Sequence, residues 1–226
     1  NIKLKKQSFD SSGQNVFFEY DGKLYQKRLN LIGGFQAQNV LMAAALVISL
    51  GSDPQDVFSV LHNLLTVKGR MELAASRANG ANVFIDYAHT PDAIETAITS
   101  LRPHVFGRII AVIGAGGDRD QSKRPLMGLA ASKTADVVIV TDDNPRSEDP
   151  AKIRQMIIKG IGPGISHECG DRAEAILRAV DMLDVGDALL ICGKGHETGQ
   201  VIGEDVLPFD DAEQASISVE ALDGVV

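Results

Sequence analysis

The order of hydrophobic and polar positions divides the chain into two regions with different periodicities. In the first region, residues 15–20 have the pattern of a strand, the Asp-Gly pair at 21–22 is typical of a hairpin turn, and residues 23–25 continue as a strand. Residues 39–50 are apolar and rich in helix formers, which predicts a helix that ends at Gly51. The beginning of the chain is therefore predicted to be strands followed by a helix.

A second helix is predicted to begin at Pro54, since proline is favoured at the first helical position. Apolar residues recur after it with the spacing of one helix face, and we expect that stripe to be buried. The stripe consists of Val57, Val60, Leu61, Leu64 and Leu65. Strands and helices of this kind expose too much apolar surface to form a complete fold by themselves.

After Gly69 the pattern changes to short apolar strands that alternate with amphipathic helices. Continuous apolar strands separated by helices are typical of a parallel sheet covered on both faces. We therefore predict an α/β fold with a Rossmann-like, mostly parallel sheet and helices on both faces. The predicted strands are 83–85, 108–113, 137–140, 166–168 and 188–192, and the predicted helices begin near 90, 125, 151 and 172.

Chemically reactive side chains follow four of these strands. They occupy residues 86–89, 114–120, 142–146 and 193–197. Because the carboxyl ends of parallel strands meet at one edge of the sheet, we expect the four segments to converge on a ligand site.

Composition and charge favour a globular protein and argue against nucleic-acid-binding and membrane-spanning proteins. The 226 residues are 44% hydrophobic and 23% charged, which is typical of a globular protein. The formal net charge of −8 argues against broad nucleic-acid binding, which requires a basic surface. No apolar run approaches the roughly 18 residues that span a membrane, and no leader precedes a cleavage site. We therefore predict a cytoplasmic protein without a membrane segment.

Other features bear on cysteine chemistry and on the start of the chain. Cys169 and Cys192 lack the spacing of a disulfide framework or a zinc site. The chain opens at Asn1 rather than at a methionine, so we expect it to be part of a longer protein.

Two glycine clusters resemble nucleotide-binding loops without matching them. In residues 114–120, Arg119 stands where a dinucleotide fingerprint needs its third glycine. The Gly-Lys-Gly of 193–195 does not complete a P-loop. A simple turn is one interpretation of either cluster. Alternatively, Asp118 and Asp120 hold the guanidinium of Arg119 in position for a carboxylate ligand.

Residues 143–146 combine groups that recognise an amino acid. Asp143 suits an ammonium, Asn144 supplies an amide, Pro145 makes the turn rigid, and Arg146 can bind a carboxylate with two hydrogen bonds. Glu197 offers a second acid for a second ammonium. The alternative is a solvated loop with a surface ion pair.

A further set of residues has the chemistry of a nucleotide site. Arg70 and His89 suit phosphates, and Asp86 suits ribose hydroxyls. Asp86 can instead cap the following turn, with His89 bonded locally. Asn39 either caps the apolar helix or reads an adenine edge. His196 is either structural or the base that deprotonates an amine.

Several of these motifs, taken in order, resemble the Mur ligases. The matching segments are IDYAHTPD at 85–92, GGDRDQSKRPLMG at 116–128, DNPRSEDP at 143–150 and GKGHE at 193–197, and GGFQAQN at 33–39 and GRME at 69–72 extend the likeness. Within the family, DNPR resembles the version associated with meso-diaminopimelate.

The resemblance implies an ATP-dependent amide ligase of peptidoglycan synthesis. It would join meso-diaminopimelate to UDP-N-acetylmuramoyl-L-alanyl-D-glutamate through an acyl phosphate, with ATP and Mg²⁺ as cofactors, and act as a monomer. Residues 1–67 would be the end of the central ATP-binding domain, and residues 68–226 the amino-acid-binding domain. The phosphate-binding loop and metal ligands of the family are absent, so we expect no metal site in this chain and no turnover by it alone.

Residue roles also follow from the resemblance. The diaminopimelate-binding set would be Arg119, Asp143, Asn144, Pro145, Arg146, Gly193 and Glu197, and the residues near ATP would be Asn39, Arg70, Asp86 and His89. Arg146 would meet the carboxylate that lysine lacks.

Three alternatives remain open. A dinucleotide-dependent oxidoreductase requires the complete glycine fingerprint, which Arg119 interrupts. A non-catalytic amino-acid-binding module would bind its ligand tightly without further segments. The lysine-adding Mur ligase is the nearest alternative within the family.

Overall fold

The computed structural model of the chain describes residues 1–224. These residues form two compact units. The first unit contains residues 1–66 together with residues 100–104, and the second contains the rest of the chain. None of the helices in the described part is long and apolar enough to cross a membrane.

The first unit is a three-stranded antiparallel sheet with two helices. Its strands are β1 (Ile2–Asp10), β2 (Gly13–Tyr20) and β3 (Lys23–Leu29), arranged in that order, and its helices are α1 (Phe35–Ser49) and α2 (Pro54–Ser59). The predicted hairpin turn is confirmed, because β2 pairs antiparallel with β3 and both turn residues have positive φ. The core of this unit is formed by Val16, Phe18, Leu29, Leu41, Phe58 and Leu61, among others.

Two local predictions for this unit are wrong. Helix α1 begins at Phe35, so Asn39 lies inside the helix and does not cap it. Helix α2 ends at Ser59 and is followed by a 3₁₀ turn, Leu61–Asn63, after which Leu64 is extended. The Ser59 hydroxyl donates to the carbonyl of Asp56, a local bond that competes with continuation of the helix.

Most of the predicted apolar stripe after Val57 is consequently exposed, with Leu61 the buried exception. Val60 is 50% exposed and Leu65 is 87% exposed, whereas Phe58, which lies off the stripe, is buried. Packing of Phe58 against Phe18, Tyr20 and Tyr25 determines which face of α2 points inward.

The second unit contains the predicted mostly parallel sheet. Its six strands are in the order β4-β5-β9-β6-β7-β8. All neighbouring pairs are parallel except β4 with β5. The strands are β4 (Glu72–Ser76), β5 (Asn82–Asp86), β6 (Ile109–Ile113), β7 (Val137–Val140), β8 (Ser166–Glu168) and β9 (Ala188–Cys192).

Helices follow the strands as the periodicity predicts. They are α3 (Pro91–Leu101), α4 (Lys123–Thr134), α5 (Pro150–Ile158), α6 (Arg172–Asp181) and α7 (Asp211–Asp223). Asp149, Asp171 and Asp210 cap α5, α6 and α7 through their carboxylates. Side chains on one face of the sheet pack with α6 and α7, and those on the other face are also buried, as a sheet covered on both faces requires.

Three elements of this unit have no counterpart in the sequence prediction. They are the antiparallel edge strand β4, helix α7, and a hairpin made of β10 (Gly199–Ile202) and β11 (Asp205–Pro208). All four residues of β11 are exposed, so its sequence carries no alternation of buried and exposed positions.

Candidate functional site

A pocket of about 290 Å³ lies at the carboxyl ends of the central strands of the second unit. This is the edge at which ligands bind open α/β sheets. All four predicted segments contribute to it. Its walls are formed by Tyr87, His89, Gly114, Ala115, Gly116, Arg119, Lys123, Asp143, Asn144, Arg146, Gly193 and Glu197.

Asp143 provides an anionic wall of the pocket. It is only 8% exposed, and no group within residues 1–224 donates a hydrogen bond to its carboxylate. The neighbouring Gly193 has φ +116°, and a Cβ atom there would lie 2.5 Å from Oδ2 of Asp143. Glycine is therefore required at 193 both for its backbone conformation and for space beside the carboxylate.

Asn144 is held in a single orientation beside Asp143. Its Oδ1 accepts hydrogen bonds from Lys194 Nζ at 2.8 Å and from the backbone N–H of Val201 at 2.9 Å. Its Nδ2 donates to Glu197 Oε2 at 3.0 Å. The amide thus connects Lys194 to Glu197.

Arg146 has an unfavourable backbone conformation for a non-glycine residue, with φ +51°. The hairpin holds it there, because the Arg146 N–H donates to the carbonyl of Val201 and the Gly203 N–H donates to the carbonyl of Arg146. Its guanidinium donates to the carbonyl of Gly117 at 2.9 Å. Strain of this kind persists only where surrounding contacts impose it, and it is enriched at functional sites.

Arg119 lines the pocket, but its predicted support by two aspartates is wrong. Its Nη1 donates to the backbone carbonyl of Asp118 rather than to a carboxylate. The Asp118 carboxylate accepts from Ser147 instead, which lowers its pKa, and the Asp120 carboxylate accepts from Ser122. Hydroxyl and amide donors lie closer to these carboxylates than the Arg119 guanidinium does, so the arginine remains available to a ligand.

The loops after β6 and β7 are joined into one structure. The Gly117 N–H donates to the carbonyl of Asn144 at 2.8 Å, and a Cβ at Gly117 would lie 1.9 Å from the carbonyl oxygen of Pro145. Glu148 accepts two hydrogen bonds from buried Arg124, which lower the pKa of Glu148 to about 2. Together these contacts fix the distance between the two arginine-bearing loops.

Several charged side chains in the pocket are free to bind a charged ligand. Arg119, Lys123 and Arg146 have no carboxylate within ion-pair distance among the described residues. Asp143 and Glu197 face the same cavity as acceptors. The site can therefore bind carboxylates and ammonium groups of one molecule together.

Lys194 and the ion pair below the site were missed by sequence reasoning. Lys194 is fully buried, and burial lowers its pKa while nearby Asp143 opposes that shift. Arg172 and Asp211 form a fully buried pair with Nη2 to Oδ2 at 2.7 Å, and Arg172 also donates to the carbonyl of Cys192. The presence of Lys194 within the GKGHE motif was the available signal; nothing in the sequence near Arg172 indicates its distant partner.

Tyr87 and Lys123 are two further pocket residues that were not singled out. The Arg70 guanidinium lies over the Tyr87 ring at 4.4 Å, and Lys123 Nζ donates to the carbonyl of His89. Both residues lie inside the family-like segments 85–92 and 116–128. Their position within those segments is the signal that could have identified them.

Asp86 and His89 both form hydrogen bonds with backbone groups close to them in sequence. Such local contacts are the alternative interpretation to nucleotide binding. Asp86 accepts from the N–H groups of Met71 and Ala88. Burial raises the pKa of Asp86 against the effect of those bonds. His89 is exposed, and its Nδ1 bonds to the carbonyl of Tyr87.

Five of the predicted site residues lie outside the pocket walls: Asn39, Arg70, Asp86, Pro145 and His196. Pro145 is buried in its turn, and His196 is exposed with its ring 5.4 Å from that of Tyr87. Asn39 belongs to the first unit, where its Nδ2 donates to Gln36. Among residues 1–224 no group of three or more histidine, cysteine or acidic side chains could hold a metal ion.

Comparison with known proteins identifies the family. A sequence profile described as the glutamate ligase domain of Mur ligases matches residues 69–195, which include every pocket residue except Glu197. The chain belongs to the Mur ligase family. Its resemblance to that family is thereby confirmed.

Curated members of the Mur ligase family match nearly the whole chain. The UDP-N-acetylmuramoyl-L-alanyl-D-glutamate–2,6-diaminopimelate ligase of Bradyrhizobium diazoefficiens is 49% identical over 96% of this chain and 44% of its own length. The protein of the same name from Caulobacter vibrioides is 46% identical over 99% of the chain and 45% of its own length. The chain therefore spans less than half the length of these relatives.

Solved structures show the same fold. A structure of a UDP-N-acetylmuramoyl-L-alanyl-D-glutamate–2,6-diaminopimelate ligase is 33% identical, with a TM-score of 0.76, over 98% of this chain and 45% of that one. Folylpolyglutamate synthase of Mycobacterium tuberculosis has a TM-score of 0.68 over 99% of this chain and 48% of that one. At 22% identity, the second likeness concerns the fold alone.

Proposed function

We propose that this chain contains the amino-acid-binding domain of an ATP-dependent ligase that adds meso-diaminopimelate to UDP-N-acetylmuramoyl-L-alanyl-D-glutamate. The observation that carries the proposal is the combination of acids and unpaired cations in one pocket of the second unit. Meso-diaminopimelate has two ammonium and two carboxylate groups, which match both kinds of wall. The names of the relatives point to the same substrate.

Each pocket residue has a role in this proposal. Asp143 and Glu197 accept from ammonium groups, while Arg119 and Arg146 bind carboxylates. Gly193 gives the ligand close access to Asp143. Pro145 keeps the Asn144–Arg146 turn rigid without touching the ligand.

Catalysis in the proposed reaction is mainly positioning. The pocket holds one amine of diaminopimelate towards the activated carboxyl group of the dipeptide. Attack of that amine on an acyl phosphate forms the amide C–N bond and releases phosphate, while the amine loses a proton. His196 lies outside the pocket walls, so we assign no base from this chain.

The nucleotide-binding part of the proposal rests on the family. Arg70, Asp86, His89 and Asn39 are proposed to lie near ATP, and residues 1–67 to be part of the ATP-binding domain. Arg70 has the chemistry to bind a phosphate, since only its Nη1 is engaged in a hydrogen bond, to the carbonyl of Gly69. Mg²⁺ is proposed as the second cofactor, with its ligands mainly outside this chain. The proposed enzyme is cytoplasmic and monomeric.

The proposal predicts how Arg146→Ala changes ligand selectivity. We expect this variant to bind meso-diaminopimelate at least about tenfold more weakly, since a charge-assisted hydrogen bond is lost. Affinity for L-lysine, which lacks the second carboxylate, should change less than about twofold. Calorimetric titration of the 226-residue chain with both ligands measures the difference.

The matched control is Arg178→Ala, because Arg178 is an exposed arginine of α6 paired with Glu174. It should leave both affinities unchanged. Equal losses for the two ligands in Arg146→Ala would contradict the assignment.

A chimera tests the reaction itself. This chain would replace the corresponding segment of the Caulobacter vibrioides ligase, to which it is 46% identical. We expect ATP-dependent addition of meso-diaminopimelate by the chimera and none by the 226-residue chain alone. Tight binding of the amino acid by the chain, together with a folded but inactive chimera, would favour a non-catalytic binding module.

A further inference from the structure

Lys194 is the one lysine described as fully buried in residues 1–224, and no side-chain carboxylate forms an ion pair with it. Its ammonium donates to Asn144 Oδ1 and to the carbonyl of Gly199, both at 2.8 Å. Burying a charged group costs free energy, and hydrogen bonds to neutral acceptors offset less of that cost than an ion pair would. The position of Lys194 therefore requires an explanation.

The chemistry of its partners forces the orientation of the Asn144 amide. Lys194 Nζ and the Val201 N–H are both donors, so the atom of Asn144 that meets them must be the oxygen. The Nδ2 group is then directed to Glu197, with which it forms one hydrogen bond. One N–H of Asn144 remains for a ligand in the pocket, and no acceptor atom remains available.

We propose that Lys194 is a positioning residue that makes Asn144 a hydrogen-bond donor towards the ligand. Resting on the proposed function, this assigns Asn144 to the same carboxylate as Arg146 and leaves the ammonium groups to Asp143 and Glu197. An Asn144 amide turned the other way would present its oxygen to the carboxylate and repel it. Lys194 thus contributes to selectivity for a ligand with a second carboxylate without touching that ligand.

Lys194→Met tests the proposal because methionine retains the length of the side chain and removes the donor. We expect the affinity of the 226-residue chain for meso-diaminopimelate to fall about tenfold, and that for L-lysine to change less than about twofold. Lys159→Met, on the exposed surface after α5, is the matched control and should change neither affinity. Equal losses for both ligands would show a general structural role and overturn the proposal.

A double-mutant cycle separates action through Asn144 from other effects. In an Asn144→Ala background, Lys194→Met should change the affinity for meso-diaminopimelate less than about twofold. A loss as large as in the wild-type background would contradict the proposal. If Lys194→Met does not fold, Asn144→Asp replaces it, since that change retains the acceptor for Lys194 and removes the donor; it should weaken meso-diaminopimelate binding selectively.

A ligand-free measurement distinguishes failure of this proposal from failure of the proposed function. Nuclear Overhauser effects should connect the Asn144 side-chain N–H protons to Glu197 in the wild-type chain and weaken in Lys194→Met. Failure of both the wild-type chain and the chimera to bind diaminopimelate would refute the proposed function. Unchanged Asn144 signals in Lys194→Met would refute the role of Lys194 in setting the amide.

Discussion

Arginines at the two ends of the sheet in the second unit differ in their hydrogen-bond partners. At the amino ends of β6 and β9, Arg108 donates to Asp187 through Nε at 3.0 Å and Nη2 at 2.6 Å, and Nη2 also reaches Asp184. At the carboxyl ends, Arg119 and Arg146 donate only to backbone carbonyls within residues 1–224. Arg108 thus has carboxylate partners at one end of the sheet, whereas Arg119 and Arg146 at the other end have unused hydrogen-bonding capacity.

The difference shows how to separate residues that stabilise the fold from those that bind a ligand. Burial alone would raise the pKa of Asp187, but hydrogen bonds from Arg108 and from backbone N–H groups outweigh it and lower that pKa. The carboxylate is therefore satisfied within the chain. Because Arg119 and Arg146 lack such partners, removing them should alter ligand binding more than folding.

We expect the largest loss of stability when the paired Arg172, below the pocket, is replaced. This variant tests whether the contribution of an arginine to stability depends on its ion pair rather than on its place in the fold. Arg172→Met leaves Asp211 as an uncompensated buried charge, and we expect the free energy of unfolding to fall by about 3–5 kcal/mol. Urea denaturation measures it. Arg178→Met, which breaks an exposed pair, should cost less than about 0.5 kcal/mol. Similar losses in the two variants would invalidate the distinction.

A smaller loss of stability is expected at the amino end. Asp187→Ala removes the acceptor of Arg108 and of the Asp184 N–H, so we expect about 2 kcal/mol lower unfolding free energy. Affinity for meso-diaminopimelate should be unchanged in the folded variant. A change in that affinity with normal stability would contradict the assignment of Asp187 to stabilising the fold rather than binding the ligand.

At Arg146 we expect the opposite result to that at Asp187, namely weaker ligand binding without a matching loss of stability. Both Arg146→Gly and Arg146→Ala should lose the proposed carboxylate contact, but glycine tolerates φ +51° whereas alanine does not. We expect the glycine variant to be about 1 kcal/mol more stable than the alanine variant, with equally weak diaminopimelate binding. Equal stabilities in chemical denaturation would show that the backbone at 146 is not strained.

The smallest effect concerns the ion pair that joins the two arginine-bearing loops. The pKa of Glu148 is about 2 in the folded chain, below its ordinary value of 4.5, because Arg124 donates to it. Its stabilising contribution is therefore complete above about pH 4.5 and is lost as the pH falls towards 2. Unfolding free energies between pH 5 and 3 should decline less steeply in Glu148→Gln. Glu174→Gln, at an exposed pair, serves as the control; identical slopes in Glu148→Gln and the unchanged chain would contradict the assignment.

The candidate site was largely accessible from sequence because its residues follow strands. Asp143, Asn144 and Arg146 come after β7, and Gly193 and Glu197 come after β9. A parallel sheet brings such segments to one edge whatever the details of packing. Their convergence in one pocket is what the alternation of strands and helices predicts.

The sequence predictions were wrong where several hydrogen-bond or packing partners lie close to the same side chain. Asp118 and Asp120 flank Arg119 in sequence, yet their carboxylates bond to Ser147 and Ser122. The extent of α2 was likewise decided by aromatic packing around Phe58 rather than by the spacing of apolar residues.

The class of fold, the edge of the sheet at which the site forms and most of the chemical groups available there are predictable from the sequence. These follow from local periodicity and from motifs, which depend on residues close together in the chain. Three further features become visible only in the folded chain: the burial of Lys194, the orientation of Asn144 and the pairing of Arg172 with Asp211. Those outcomes depend on contacts between residues 39 to 57 positions apart, and a buried polar group takes whichever partner the completed fold brings within reach.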